Sequence, residues 1–243
     1  MRALVIGASG GIGRASALAF AASGASVVVS DVNEAGGEET VALIAATGGK
    51  AVFQRCDVSN GADVKALVAR AVSEYGRLDF ALKNAGINNL GSNEYDDDVW
   101  ARSMGINLTG VMMCMREEAE VMMAQGKGAI VNTASINGLV GNGAQPGYTA
   151  SKHGVVGLTR HGARRWAQAG IRVNCVCPGV IETPMTAPLT ANPDMKKILD
   201  GMTPMGRMGK AEEIASAVMW LCSDQASFVT GHPLVVDGGA TAD

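Results

Sequence analysis

Tyr148 and Lys152 form a Y-x-x-x-K pair, and on a helix that spacing stacks the two side chains on one face. A phenol has a pKa of ~10 and is a poor base at neutral pH. An adjacent ammonium favours the phenolate, each pKa unit corresponding to ~1.4 kcal/mol of differential stabilisation. Such a pair is suited to move a proton to or from an alcohol oxygen. Ser135 lies 13 residues upstream, just after an apolar run, where it can hydrogen-bond the same oxygen. Taken alone, Y-x-x-x-K is ordinary surface decoration. Its force comes from its company.

That company begins at Gly7-Ala8-Ser9-Gly10-Gly11-Ile12-Gly13, which follows one apolar strand pattern and opens a helical one. Glycines there let the backbone turn sharply and present N–H groups to a pyrophosphate at the positive end of the helix. The same string also suits a loop that merely needs positive φ angles. Asp31 ends the second strand pattern, 18 residues after Gly13, near the ~20 expected of a carboxylate that accepts both adenosine ribose hydroxyls. A solvated helix cap is its other reading. A 2′-phosphate beside Asp31 would meet like charge, costing up to ~4 kcal/mol at 4 Å and an effective dielectric of ~20, before solvent trims it. Gly10 and Val32 offer no compensating cation, and Arg14 would have to overcome Asp31. NAD is therefore expected over NADP.

The elements that must hold these residues alternate. Strands are expected at Ala3–Ile6, Ser26–Ser30, Ala51–Cys56, Leu78–Leu82, Ala129–Thr133, Ile171–Val176 and Pro233–Val236. Helices are expected at Gly13–Ala22, Glu34–Thr47 (capped by Asn33), Ala62–Tyr75, Asp97–Ala124, Tyr148–Gln168 and Ala211–Leu221. Asp96, Asp97 and Asp98 suit the positive end of the long helix better than a metal site, and no metal is expected. Thr183–Met208 is rich in Pro, Thr and Met, with little periodicity, as a substrate lid would be. Strands separated by helices call for right-handed crossovers into one parallel sheet. The expected fold is α/β: residues 1–243 as a single doubly wound domain with helices on both faces.

Composition excludes other classes. With 243 residues, about 1.6 times a ~150-residue domain, one large α/β domain fits as well as two small ones. Apolar residues at 47% against 18% charged exclude wholesale disorder. A net charge of −3 and 4% aromatics leave neither a broad basic face nor base-stacking platforms, so no nucleic-acid partner is expected. Cys56, Cys114, Cys175, Cys177 and Cys222 lack disulfide or zinc spacing and read as buried hydrophobes in a reducing compartment. Arg2 precedes only four apolar residues before glycines intervene, too few for a secretory signal, and no run approaches the ~18 of a membrane span. The expectation is a cytoplasmic protein with no membrane partner.

Taken together and in order, Gly7–Gly13, Asp57, Asn84-Ala85-Gly86, Asn107, Ser135, Tyr148-x-x-x-Lys152, Pro178-Gly179 and Asp237-Gly238-Gly239 resemble the short-chain dehydrogenase/reductase family over essentially the whole chain. The resemblance implies a Rossmann-like sheet of seven parallel strands and NAD(P)(H)-dependent alcohol–carbonyl chemistry. By that likeness Tyr148 is the acid/base, Ser135 the donor to the substrate oxygen, and Lys152 the residue that binds the nicotinamide ribose and lowers the tyrosine pKa. Asn107 holds a proton-relay water. Asp57 and Val58 contact adenine, Asn84-Ala85-Gly86 passes under the adenosine ribose, and Pro178, Gly179, Ile181 and Thr183 surround the nicotinamide amide. Family members commonly pair the long helix and the Tyr148 helix across a dimer interface within homotetramers, so Met112, Met113, Met115, Met122 and Met123 read as core or subunit contacts.

Two residues depart from the family pattern: Ile6 stands where Thr is usual, and Lys83 where the first Asn of Asn-Asn-Ala-Gly is usual. Ile6 removes a hydroxyl between neighbouring loops. Lys83 has three open fates: to perturb adenosine binding, to alter strand packing, or to reach solvent. Substrate walls are expected at Asn88–Tyr95, Ile136–Gln145 and Thr183–Met208, where Met185, Met195, Met202, Met205 and Met208 suit either an adaptable apolar lining or ordinary packing. No cationic cluster marks an acidic substrate. The expected substrate is a small, neutral, hydrophobic secondary alcohol or ketone, cyclic or not. Two alternatives are an NADPH-dependent 3-oxoacyl-carrier-protein reductase and a non-enzymatic NAD(H)-sensing regulator. The first wants basic residues at the cofactor ribose; the second has no need of Ser135, Tyr148, Lys152 and Asn107 together.

Overall fold

The computed structural model describes residues 1–88, 93, 95–141 and 146–242. Among them the main sheet has strands β1 (Arg2–Ile6), β2 (Ser26–Asp31), β3 (Lys50–Arg55), β4 (Phe80–Lys83), β5 (Gly128–Thr133), β6 (Ile171–Pro178) and, last in the chain, β9 (Pro233–Val236). Their spatial order is β3-β2-β1-β4-β5-β6-β9, every pair parallel. Each crossover carries a helix: α1 (Gly11–Ala22), α2 (Glu34–Ala46), α3 (Gly61–Tyr75), α4 (Asp97–Met104) continuing into α5 (Gly110–Gln125), α6 (Pro146–Trp166) and α9 (Ala211–Cys222). Chain direction across the sheet reverses between β1 and β4, whose paired ends are Ile6 and Lys83. In such sheets the crevice beyond the carboxyl ends at the reversal is where ligands bind.

Helices cover both faces, so the central strands are buried on both sides and read as continuous apolar runs. Leu4, Ile6, Ala81, Ile130 and Val173 pack on one face with Leu67, Val111, Met122 and Val155 of α3, α5 and α6. Ala3, Val5, Leu82 and Val131 pack on the other with Ala17 and Phe20 of α1 and Ile214 and Val218 of α9. Cys175 and Cys177 share one side of β6, both buried.

Three expectations need correction. β4 begins at Phe80, not Leu78, because the Gln125 side chain takes both backbone groups of Leu78, accepting its N–H and donating to its carbonyl. The helix expected as one run from Asp97 to Ala124 is broken by a π-helical turn at Gly105–Thr109, with Asn107 at its centre. Such a turn admits an extra residue into the helical ladder, which a 3.6-residue pattern does not reveal. The third concerns Thr183–Met208, which is not irregular. It holds α7 (Ala187–Thr190) and α8 (Pro193–Gly201), and its base is pinned by the parallel pair β7 (Ile181–Glu182) and β8 (Gly209–Lys210). Asn192 caps α8, accepting from Asp194 N–H and Met195 N–H, with Pro193 in the first turn. Asn-Pro-Asp is a helix-start signature that was readable in the sequence.

Candidate active site

The glycine turn is a matter of clearance. Gly7 has φ +80°, and a Cβ on it would stand 2.4 Å from Ala85 N; a Cβ on Gly13 would stand 1.9 Å from Gly7 O. Helix α1 starts from an extended Gly10 with no side-chain cap and no acidic residue in its first turn. Its free N–H groups therefore face the cavity beside Gly10, Gly11 and Ile12, as an anion site requires. Asp31 sits at the rim, its carboxylate accepting from Ser9 N–H and Asn33 N–H, each at 3.0 Å.

Two cations lie near Asp31, and both have partners. Arg14 donates to Ser9 O, Gly36 O and Thr40 Oγ1 and pairs with Glu39. Arg55, beside Asp31 in the β2–β3 register and on the cavity wall, faces Glu34 at 3.5 Å and Asp63 at 3.6 Å. Next along the wall, Ser59 N–H and Oγ–H both donate to Asp57, which holds its carboxyl below the usual range. Val58 packs under Gly110, where a Cβ would collide with it at 2.9 Å. Asn84 Nδ2 donates to Gly7 O at 2.9 Å, so β4 and the glycine turn are tied together.

At the far end, Lys152 is buried and donates to Thr133 O at 2.8 Å, its Nζ 5.5 Å from the centre of the Tyr148 ring. Ser135 lies beside the Tyr148 side chain, and its Oγ accepts from Asn137 N–H. Tyr148 keeps some exposure inside the cavity, yet protein atoms surround it closely enough that desolvation raises the phenol above its ordinary value. The Ser135 hydroxyl pulls the other way and is the smaller effect. Burial also pushes Lys152 down, to about 8. Proximity to the ammonium alone was expected to acidify the phenol; in the folded protein desolvation outweighs the other effects.

Asn107 is fully buried, and its side chain bridges the loop after β4 to the Tyr148 helix. Its Oδ1 accepts Ile87 N–H at 2.8 Å, and its Nδ2 donates to Ile87 O at 2.9 Å and Ser151 Oγ at 3.4 Å. Gly86 passes through the gap: a Cβ there would lie 3.3 Å from Asn107 Oδ1 and 3.5 Å from Lys152 Nζ.

One cavity of about 990 Å³ joins the two ends. Of the residues expected at the site, Gly7, Ser9, Gly10, Gly11, Ile12, Asp31, Asp57, Val58, Asn84, Ala85, Gly86, Ser135, Tyr148, Lys152, Pro178, Gly179, Ile181 and Thr183 line it, whereas Gly13 and Asn107 stand behind its wall. From the expected substrate walls, Asn88, Ile136, Asn137, Met185 and Met202 line it, and residues 89–92, 94 and 142–145 lie outside the described residues. Met195, Met205 and Met208 do not: Met208 is buried in packing, and Met205 turns to Gly238, whose carbonyl accepts its N–H. Sequence reading missed Ala101 and Arg102 of α4 and Ile106 of the π turn, all of which line the cavity. Lys83, although next to Asn84, does not line it. Its Nζ donates to Glu118 Oε2 at 2.6 Å, both side chains being fully enclosed under α5.

Residues 7–241 match the family model described as Enoyl-(Acyl carrier protein) reductase. The chain is 44% identical to a 2,5-dichloro-2,5-cyclohexadiene-1,4-diol dehydrogenase of Sphingobium indicum, over 98% of this chain and 96% of that one. It is 45% identical to a cyclohexanol dehydrogenase of an Acinetobacter species, over 99% and 94%. The chain belongs to the short-chain dehydrogenase/reductase family. A solved short-chain dehydrogenase/reductase from Mycobacterium marinum superposes with a TM-score of 0.94 at 37% identity, covering 100% of this chain and 96% of that one. This short-chain dehydrogenase/reductase is thus an oxidoreductase in a family whose dehydrogenases use nicotinamide cofactors, and among its described residues no helix is long and apolar enough to cross a membrane.

Proposed function

We propose that residues 1–243 work as one dinucleotide-binding and catalytic unit that interconverts a small secondary alcohol and its ketone with NAD(H). The observation that supports this most is that Ser135, Tyr148 and Lys152 line the same cavity as the uncapped first turn of α1, with Lys152 Nζ 5.5 Å from the centre of the Tyr148 ring. That turn fits a pyrophosphate, Asp31 the adenosine ribose, and Gly86 leaves room beside Lys152 for a sugar hydroxyl. Bound there, the nicotinamide supplies or accepts the hydride. In reduction Tyr148 Oη gives its proton to the carbonyl oxygen while Ser135 Oγ steadies the developing alkoxide. In oxidation the phenolate takes the alcohol proton. Lys152 stabilises that phenolate. Asn107, committed through its side chain to Ile87 and Ser151, is a positioning residue.

Ring alcohols are the favoured class: relatives named for a cyclohexadienediol and for cyclohexanol share 44% and 45% of their residues with this chain. The apolar wall of Ile136, Met185, Leu189, Leu199 and Met202 suits such rings. NAD is favoured over NADP because Asp31 is at the rim while Arg14 and Arg55 already face carboxylates. The same engagement disfavours a carrier-protein thioester reductase using NADPH. A homotetramer in the cytoplasm is the proposed setting; exposed Met112 and Met123 on α5 suit a subunit contact, and five buried free thiols suit a reducing compartment. Absorbance at 340 nm across a panel of ring alcohols and ketones, with both cofactors, tests the reading. Turnover with NAD(H) preferred is expected, and a flat trace throughout would contradict it.

A further inference from the structure

Among the described residues five charged side chains line the cavity, and four of them are engaged within the protein. Asp31 accepts two backbone N–H groups, Arg55 faces Glu34 and Asp63, Asp57 takes Ser59, and Lys152 donates to Thr133 O. The fifth is Arg102, in the last turn of α4. It is exposed and has no hydrogen-bond or ion-pair partner among the described residues. Its guanidinium is free to meet a ligand.

Packing shows which end of the cavity it overlooks. Arg102, Ile106 and Gly110 recur at four-residue spacing along α4, the π turn and α5, which puts them on one side of that run. Gly110 rests on Val58 and Gly61 on Met113: an added Cβ would stand 2.9 Å from Val58 Cγ2 and 3.4 Å from Met113 Sδ. The run therefore follows the connection from β3 to α3, and the wall it makes there continues through Ile106 to Arg102. β3 is the edge strand, whereas Ser135 follows β5, on the other side of the reversal between β1 and β4. Arg102 thus stands at the end away from the reacting group.

With a pyrophosphate at the first turn of α1 and a ribose at Asp31, the part of the dinucleotide that reaches this end is its adenine. The wall offers the base apolar contact from Val58 and Ile106 but no ring to stack on. Tyr148, at the other end, is the only aromatic side chain among the described residues lining the cavity. A guanidinium is planar, delocalised and weakly hydrated, and it stacks on aromatic faces. We propose that Arg102 binds the adenine of the cofactor, its guanidinium lying flat on the exposed face of the base. This rests on the dinucleotide reading above. Because NAD and NADP share the adenine, the contact adds affinity for both without choosing between them.

The test is fluorescence titration of wild type, Arg102→Ala and Arg102→Lys with NADH and NADPH, with adenosine as a competitor. It is paired with the KM for reduced nicotinamide mononucleotide, which lacks the adenosine. Arg102 is exposed, and circular dichroism checks that each variant is folded. Arg102→Ala is expected to weaken both dinucleotides and the adenosine Ki about five-fold, with the mononucleotide KM within two-fold of wild type. Arg102→Lys keeps the charge without the plane and is expected to recover less than half of the loss. An unchanged NADH Kd overturns the inference, as does an equal loss with the mononucleotide. A loss confined to NADPH overturns it by assigning the guanidinium to a 2′-phosphate, and full recovery in Arg102→Lys by making it a point charge. Failure of wild type to bind either dinucleotide overturns the dinucleotide reading itself and is told apart because it precedes any substitution.

Discussion

At the scale of single residues, burial sets the protonation states that the chemistry needs. Desolvation holds the Tyr148 phenol above its ordinary value, so it is protonated at neutral pH and ready to act as a proton donor to a carbonyl. Reduction should accordingly be flat in kcat/KM between pH 6 and 8 and fall in the alkaline range, while oxidation rises with pH; a pH–rate profile in each direction checks this. Lys152 lies at about 8 in the folded chain against an ordinary 10.5. Between those values the unfolded chain binds more protons, so this group's contribution to stability increases with pH there. The Tm difference between wild type and Lys152→Met should therefore move in favour of wild type as pH climbs from 8 to 10. A difference independent of pH would show that the ammonium is not desolvated. At the opposite end, Asp31→Ser removes the like charge that a 2′-phosphate would meet, and the kcat/KM ratio of NADPH to NADH should rise about ten-fold or more. An unchanged ratio would take Asp31 out of cofactor choice.

At the scale of elements, the contacts that tie strand to helix were the least legible. Tyr148, Lys152 and the glycine turn announce themselves by local spacing, because helix and turn geometry act over four to seven residues, while Ser135 shows only by its place after a strand pattern. The partner of Lys83 lies 35 residues away on α5, and no local pattern links them. The π turn at Gly105–Thr109 was likewise hidden, and Asn107 within it bonds to Ile87, 20 residues earlier. The Lys83–Glu118 pair costs desolvation: burial raises the Glu118 carboxyl even with Lys83 pulling it down, and its Oε1 has no partner. Removing one member strands the other. Lys83→Met should cost about 3–5 kcal/mol in chemical denaturation, and Lys83→Met with Glu118→Leu should recover most of it or exceed wild type. Equal losses in the single and double variants would mean that packing, not charge, is at stake.

At the scale of the whole molecule, a doubly wound parallel sheet was foreseeable, and the strand order seen in the structure sets where its crevice opens. Alternating strands and helices call for a parallel sheet, and the reversal between β1 and β4 opens the crevice into which Gly7, Asn84 and Ser135 all project. In Thr183–Met208 the start of α8 was legible from Asn192-Pro193-Asp194, whereas α7 and the two-stranded base were not, because such short elements show no period. The architecture puts the glycine turn and the Ser135–Tyr148–Lys152 group at opposite ends of one cavity, held by different elements, so the nucleotide recognition and proton transfer proposed for them are separable. Tyr148→Phe deletes a single hydroxyl at one end and touches nothing at the other. The decisive measurement is steady-state turnover of this variant on a ring ketone, paired with NADH titration by fluorescence. The account predicts kcat reduced about 10²–10⁴-fold with the NADH Kd within a few-fold of wild type; a variant that retains wild-type kcat would contradict it.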